Sequence, residues 1–211
     1  MPFDFKKEQK ELYQPRTTPS IINVPSMKFI VVNGNGDPNC DDFSVAVETL
    51  YSLSYAIKMG NKSVFEYVVP PLEGIWWTGC DFTDKSKYEW AIMLRQPDFA
   101  TEEVFETAKA ALRTKKKHLD FTSARLEQFT EGLCAQVTHV GPYDEEPITV
   151  SALRKFVEES GYVIDIADDS IKTLSRRHHE IYLSDPRKTA PDKLKTIIRY
   201  PIKIDGKYNT P

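Results

Sequence analysis

One pattern runs twice along the 211 residues: strand, glycine-bearing turn, helix, strand, strand. A unit that recurs must bury its apolar face against its copy, so the repeat constrains the architecture more than any single motif. In the first half, Lys28 to Val32 (K-F-I-V-V) reads as a buried strand running into N-G-N-G-D-P-N, dense in turn formers. Phe43, Val47, Leu50, Ser54 and Ile57 then share one helical stripe, with Asp41 or Asp42 placed to cap it. Strands are expected at Val64 to Val69, Gly74 to Thr78 and Tyr88 to Leu94. Helical character covers Thr101 to Leu112 and Asp120 to Phe129. The second half opens with a strand, Leu133 to His139, that ends at G-P-Y-D-E-E-P. A helix with Pro147 in its first turn runs to about Ser160, and strands at Tyr162 to Ile166, His179 to Leu183 and Lys195 to Tyr200 complete the set.

The order of elements makes the fold class α+β and divides a single domain, 1–211, into four parts. These are an arm over 1–26 punctuated by Pro15, Pro19 and Pro25, a first repeat over about 27–98, linker helices over about 99–130, and a second repeat over about 131–205. The best local correspondence sets Y-E-W-A-I-M-L-R at 88–95 against H-E-I-Y-L-S-D-P at 179–186, which pairs Glu89 with Glu180.

Charge excludes several function classes. There are 28 Lys and Arg against 31 Asp and Glu, a net charge of −3, which gives no electrostatic purchase on nucleic acid. No apolar run approaches the length of a membrane span, and the amino terminus has no apolar signal segment. Cys40, Cys80 and Cys134 are odd in number and far apart, which suits reduced thiols in a cytoplasmic protein. Adjacent His178 and His179 face opposite sides of a strand and cannot chelate together, while His118 and His139 lack a second ligand at a recognisable spacing, so neither a metal nor another cofactor is expected. Nothing in the sequence points to a protein partner.

The chain holds 24 aromatics: 11 Phe, 10 Tyr and 3 Trp. Strand alternation divides some of them between core and pocket. Tyr88, Trp90, Ile92 and Leu94 share one parity; Glu89, Ala91 and Met93 share the other. Ile181 and Leu183 oppose Glu180, Tyr182 and Ser184. Aligning the repeats predicts both glutamates on one face beside Met93 and Tyr182, where desolvation would make a carboxyl useful as acid or base. The alternative is a pair of solvated surface glutamates. The segment F-E-Y-V-V-P-P-L-E-G-I-W-W-T at 65–78 is the densest aromatic cluster, and Trp76 and Trp77 must point to opposite faces of their strand.

Several motifs together resemble the GyrI-like proteins: L-Y-Q-P near the start, P-S-I-I-N-V-P, V-N-G-N-G-D-P-N, A-V-E-T-L-Y-S-L-S-Y, Y-V-V-P-P-L-E-G-I-W-W and H-H-E-I-Y-L-S-D-P-R. The nearest branch is the stand-alone bacterial group. The resemblance implies a duplicated βαββ (SHS2-type) unit forming one concave antiparallel sheet, helices on its other face and a ligand cleft along the pseudo-twofold. Relatives fused to a helix-turn-helix domain sense drugs; no length for such a domain is expected before Lys28. Some stand-alone relatives open the cyclopropane ring of cyclopropanoid DNA-alkylating antibiotics, and Gly74-Ile75-Trp76-Trp77 matches their Trp-rich motif. Carried over by position, Glu180 would activate water and Tyr67 would donate a proton or steady the developing phenolate. Trp77, Trp90, Tyr182, Met93 and Tyr143 would line the cleft, with Glu89 as a second carboxylate. The implied ligand is a hydrophobic aromatic small molecule. A non-catalytic module binding hydrophobic cationic or aromatic drugs is the alternative, and no convincing axial ligand supports a haem carrier.

Overall fold

The computed structural model describes residues 1–77, 84–171 and 173–206; Thr78 and Cys80 lie outside the described residues. The chain starts with two one-turn helices, α1 (Phe5–Glu8) and α2 (Lys10–Tyr13), separated at Gln9. A long strand, β1 (Ser20–Asn35), leads to α3 (Asp41–Gly60). The strands β2 (Leu72–Trp77) and β3 (Glu89–Gln96) follow, then α4 (Glu102–Lys115). The second half comprises β4 (Arg125–Val140), α5 (Glu146–Glu159), β5 (Tyr162–Ile164), β6 (His178–Tyr182) and β7 (Lys195–Ile204).

Among the described residues, the strands pair in the order β4-β1-β3-β2-β6-β7-β5, and β4 also pairs with β7. Every pairing is antiparallel. The extra pairing closes six strands into a ring, so the expected open concave sheet is corrected to a barrel. A closed ring leaves none of its six strands with an unpaired edge, which an open sheet could not avoid. Within each half the pairing order is alike, β1-β3-β2 and β4-β7-β6.

Two layers of apolar packing lie outside the barrel and one inside. On the outer wall, α3 and α4 cover Ile30, Val32, Ile92 and Leu94 with Leu50, Leu53, Ile57, Phe105 and Leu112. Further round, α5 lays Leu153 and Val157 on Ala135, Val137, Ile198 and Tyr200. The helical stripe of α3 includes the expected Leu50, Ser54 and Ile57, but Cys40 occupies the cap position ahead of Asp41. The interior is filled from the amino-terminal arm: Phe5, Leu12 and Tyr13 pack with Phe29, Val31, Ile75, Met93, Ile181 and Ile197.

Two expected elements take a different form. Asp120 to Phe129, expected as helix, enters β4 at Arg125, because Leu126 to Phe129 pair with Met27 to Ile30 of β1. Leu126, Phe129 and Leu133 have helix-like spacing, but a ladder along sixteen residues overrides that local pattern. Val64 to Val69 forms no strand; its ordered contact is a single bridge from Tyr67 to Phe3. Among the described residues no helix is long and apolar enough to cross a membrane.

Candidate functional site

Strand register decides which side chains can meet. Glu180 of β6 lies opposite Gly74 of β2, while Glu89 of β3 lies opposite Trp77. Gly74 and Trp77 have opposite parity on one strand, so the two glutamates point to opposite faces of the barrel wall. The expected pair is therefore corrected. Its physical origin is a mismatch of strands: β3 is the third strand of its half, and its counterpart by pairing order is β7, not β6. Glu180 shares the outer, helix-covered face with Trp76, His178 and Tyr182.

Around Glu180 the polar atoms form a directed network. The Trp76 indole Nε1–H donates to the Tyr182 hydroxyl at 3.0 Å, and that hydroxyl donates to Glu180 Oε2 at 2.6 Å. His178 Nε2 lies 2.7 Å from Glu180 Oε1, so this nitrogen carries the hydrogen when Glu180 is a carboxylate. Burial alone would raise the Glu180 pKa; the His178 and Tyr182 hydrogen bonds outweigh it and hold Glu180 ionised. Burial and the adjacent Glu180 charge push Tyr182 well above the ordinary tyrosine range, so it stays a phenol and a donor. Glu146, the first residue of α5, carries its carboxyl beside that of Glu180. Glu146 behaves oppositely: burial, then the Glu180 charge, raise it to about 9.

Aromatic rings enclose this network. Phe43 of α3 stacks on Trp76 with centroids 5.8 Å apart, Tyr88 meets Trp76 edge-on at 5.9 Å, and Tyr143 meets Tyr182 edge-on at 6.0 Å. Tyr200 lies 4.9 Å from the His178 ring. The starts of α3 and α5 thus bracket the site. The Glu180 side chain keeps 14% of its surface exposed, so it is not sealed off from solvent. Such a site can withdraw a proton from water, or hold a cation against aromatic faces.

The other expected residues divide. Tyr182 and Tyr143 join Glu180. Trp90 shares its face but is covered by α3, packing edge-on against Phe43 at 5.1 Å. Trp77 faces the interior, where its indole donates to Glu89 at 2.7 Å and the Arg177 guanidinium lies 4.8 Å from its ring. Trp76, not Trp77, therefore belongs to the Glu180 cluster. Met93 and Tyr67 also lie in the interior cluster, and the Tyr67 hydroxyl is buried without a hydrogen-bond partner. Phe5, Phe65 and Phe99 surround its ring.

The interior holds a second polar network, entirely enclosed. His179 Nδ1 lies 3.1 Å from Glu131, its Nε2 lies 3.1 Å from Glu73, and Arg199 lies 3.1 Å from Glu131. The Tyr13 hydroxyl donates to Glu73 at 3.1 Å. All of these side chains are about 1% exposed, so they form a buried core network. A separate pocket of about 210 Å³ lies between α3 and the turn at 120–123, lined by Gly34, Asp42, Thr49, Trp90, Asp120 and Ser123; Glu180 is not in it. Among the described residues no three His, Cys, Asp or Glu side chains are grouped as metal ligands.

The sequence draws attention to His178 and Trp76 without placing either among the site residues, and it does not draw attention to Glu146. The signal for Trp76 lay in the glycine two positions earlier: a Cβ on Gly74 would meet Trp76 Nε1 at 2.7 Å and the Tyr182 hydroxyl at 3.3 Å. Glu146 offered no signal, since one acidic residue at a helix start is commonplace.

Comparison with known proteins agrees with this architecture. The GyrI-like small molecule binding domain matches residues 17–203. An uncharacterized conserved protein from Listeria innocua superposes with a TM-score of 0.89 at 44% identity, over 95% of this chain and 100% of that one. A hydrolase from the same organism gives 0.86 at 43% identity, over 95% and 100%. The EcmrR C-terminal domain gives 0.56 at 12% identity, over 89% and 98%, a likeness of fold alone. No curated protein matches the chain.

Proposed function

The chain belongs to the GyrI-like family, and from that premise we propose that it is a small-molecule-binding hydrolase whose reacting group is Glu180. The observation that carries the reading is an ionised, nearly buried carboxylate fixed by His178 and Tyr182 inside an aromatic enclosure. The similarity to a hydrolase at 43% identity over nearly the whole chain supports it. We read the two halves as copies of one βαββ unit, with the site where β2 of one half meets β6 of the other.

The substrates proposed are cyclopropanoid DNA-alkylating compounds, and the reaction a detoxifying addition of water. In these compounds a strained cyclopropane is conjugated to a dienone. Trp76, Tyr143 and Tyr182 present faces and edges to the flat fused rings. Glu180 removes a proton from water as the water oxygen bonds to the cyclopropane methylene. The strained C–C bond breaks, its electron pair passes through the dienone to the carbonyl oxygen, and a proton taken up there from solvent leaves a phenol while Glu180 releases its own proton to solvent. Tyr67, expected to steady the phenolate, lies in the interior cluster with its ring enclosed by Phe5, Phe65 and Phe99, on the other side of the wall from Glu180, and has no part in this step. Incubation with a duocarmycin-type cyclopropanoid should yield the one-water adduct, and Glu180→Gln should abolish it. Absence of the adduct with the wild type, or equal turnover by Glu180→Gln, overturns the reading.

The same ionised carboxylate among rings supports a second reading, a binding module for hydrophobic cations without chemistry. Tryptophan quenching by a lipophilic cation, weakened in Glu180→Gln with no product formed, distinguishes it.

A further inference from the structure

We infer that Glu146 is a positioning residue that carries the single proton of a carboxyl–carboxylate pair with Glu180, and so keeps the site a monoanion. The inference rests on the hydrolase reading for its catalytic consequence, but not for the location of the proton.

Two carboxyl groups side by side within a wall of aromatic side chains are not both ionised, because the repulsion of like charges adds to the desolvation of each. The donors settle which one is charged. Glu180 receives Tyr182 on one oxygen and His178 on the other. Glu146 has no such pair of donors; its Oε1 is buried with no partner, and the residue is 8% exposed. The groups that interact with Glu146 are Glu180 and Tyr182 from β6, Thr196 and Tyr200 from β7, and Tyr143 and Asp144 from the preceding turn, and His178 lies on the far oxygen of Glu180. Arg154 of α5 lies over the Tyr200 ring, 5.1 Å from its centroid. Proton sharing between the two carboxyls is therefore biased toward Glu146, and the pair titrates as a unit.

The consequence concerns charge during turnover. While the substrate oxygen gains negative charge, Glu180 gains the proton of water, and the net charge of the site stays at one. Were Glu146 ionised, the developing phenolate would form against a second fixed anion, and the step would slow. Glu146 acts through Glu180 and through this field, without touching the reacting atoms.

The test reads the proton directly. In protein labelled at the glutamate carboxyl carbons, NMR is followed from about pH 5 to about pH 10. One glutamate resonance should keep its acid-form shift at neutrality and titrate in the alkaline range. That resonance should be missing from Glu146→Gln, and in Glu180→Gln its midpoint should move back toward the ordinary carboxylate range. All glutamates ionised at neutrality, or the alkaline resonance lost from Glu180→Gln but kept in Glu146→Gln, overturns the inference. In turnover, the alkaline decline of kcat should disappear from Glu146→Gln, and Glu146→Ala, which removes the carboxyl beside Glu180, should lower kcat by about tenfold with little change in KM. An identical alkaline decline in Glu146→Gln overturns the catalytic part. A wild type that turns nothing over defeats the hydrolase reading alone, since the resonances still locate the proton.

Discussion

Gly74 lacks a side chain where Trp76 and Tyr182 need the room. Their hydrogen bond crosses the space a Cβ would take, with Trp76 Nε1 only 2.7 Å from that position. Substitution by alanine must move the indole or the phenol, and either shift disturbs the donor to Glu180. Gly74→Ala is expected to cost about 1–3 kcal/mol of stability, as overpacking generally does, and to reduce ligand affinity. Gly60→Ala serves as the control, since nothing lies within 4 Å of its built Cβ. Urea unfolding followed by tryptophan fluorescence checks both, and equal midpoints would refute the steric account. Gly34 plays a similar part under Trp90, whose ring atoms lie 2.1–2.7 Å from the Cβ it lacks. At this scale the sequence was legible only in part. Strand parity places Tyr182 beside Glu180, but nothing local places Glu146 there, because it comes from another element, α5.

At the scale of elements, the amino-terminal arm closes the barrel rather than trailing from it. Tyr13 reaches Glu73 inside; Arg199 donates to the Leu12 carbonyl at 2.9 Å, Gln136 to that of Glu11 at 2.8 Å, and Thr138 to that of Pro15 at 2.7 Å. Three distant strand residues thus satisfy the arm's backbone acceptors, which a buried segment requires. Removing the Tyr13 hydroxyl leaves Glu73 short of a donor where water cannot replace it. Tyr13→Phe should lower the unfolding free energy by about 1–3 kcal/mol, read as a lower urea midpoint with an unchanged far-ultraviolet circular dichroism spectrum of the folded state. No fall in the midpoint would remove this role for the arm. The helices α3, α4 and α5 were readable from their apolar periodicity. The strand β4 was not readable over its first residues, because the ladder to β1 is a contact between segments about a hundred positions apart, and local spacing carries no trace of it. Matching Glu89 to Glu180 failed for a related reason: similar letters fell on strands with different neighbours.

For the whole molecule, the enclosed charges make stability depend on pH in two directions. Burial disfavours the charge on Glu131, but His179 and Arg199 outweigh it and hold the carboxyl down to about 2. Its contribution is complete above the ordinary glutamate pKa of 4.5 and is lost as pH falls toward 2. Burial likewise opposes the charge on His179, yet Glu131 and Glu73 raise it to about 9. That contribution is complete below the ordinary histidine pKa of 6.5 and is lost as pH rises toward 9. The melting temperature should therefore fall between those values on the alkaline side, and His179→Gln, less stable at neutrality, should lose that part of the slope. An alkaline slope as steep in His179→Gln as in the wild type would show that other groups set it.

The pairing of β4 with β7 also imposes a timetable on synthesis. β4 is finished at Val140, whereas the strand that seals its far side begins only at Lys195. During that interval the nascent chain presents one long strand with a bare edge, and Arg199, which binds the arm from inside, has not yet been made. An emerging chain thus passes through an open, edge-bearing sheet before it can become a ring, and β7 is the strand that ends this exposure to other nascent chains.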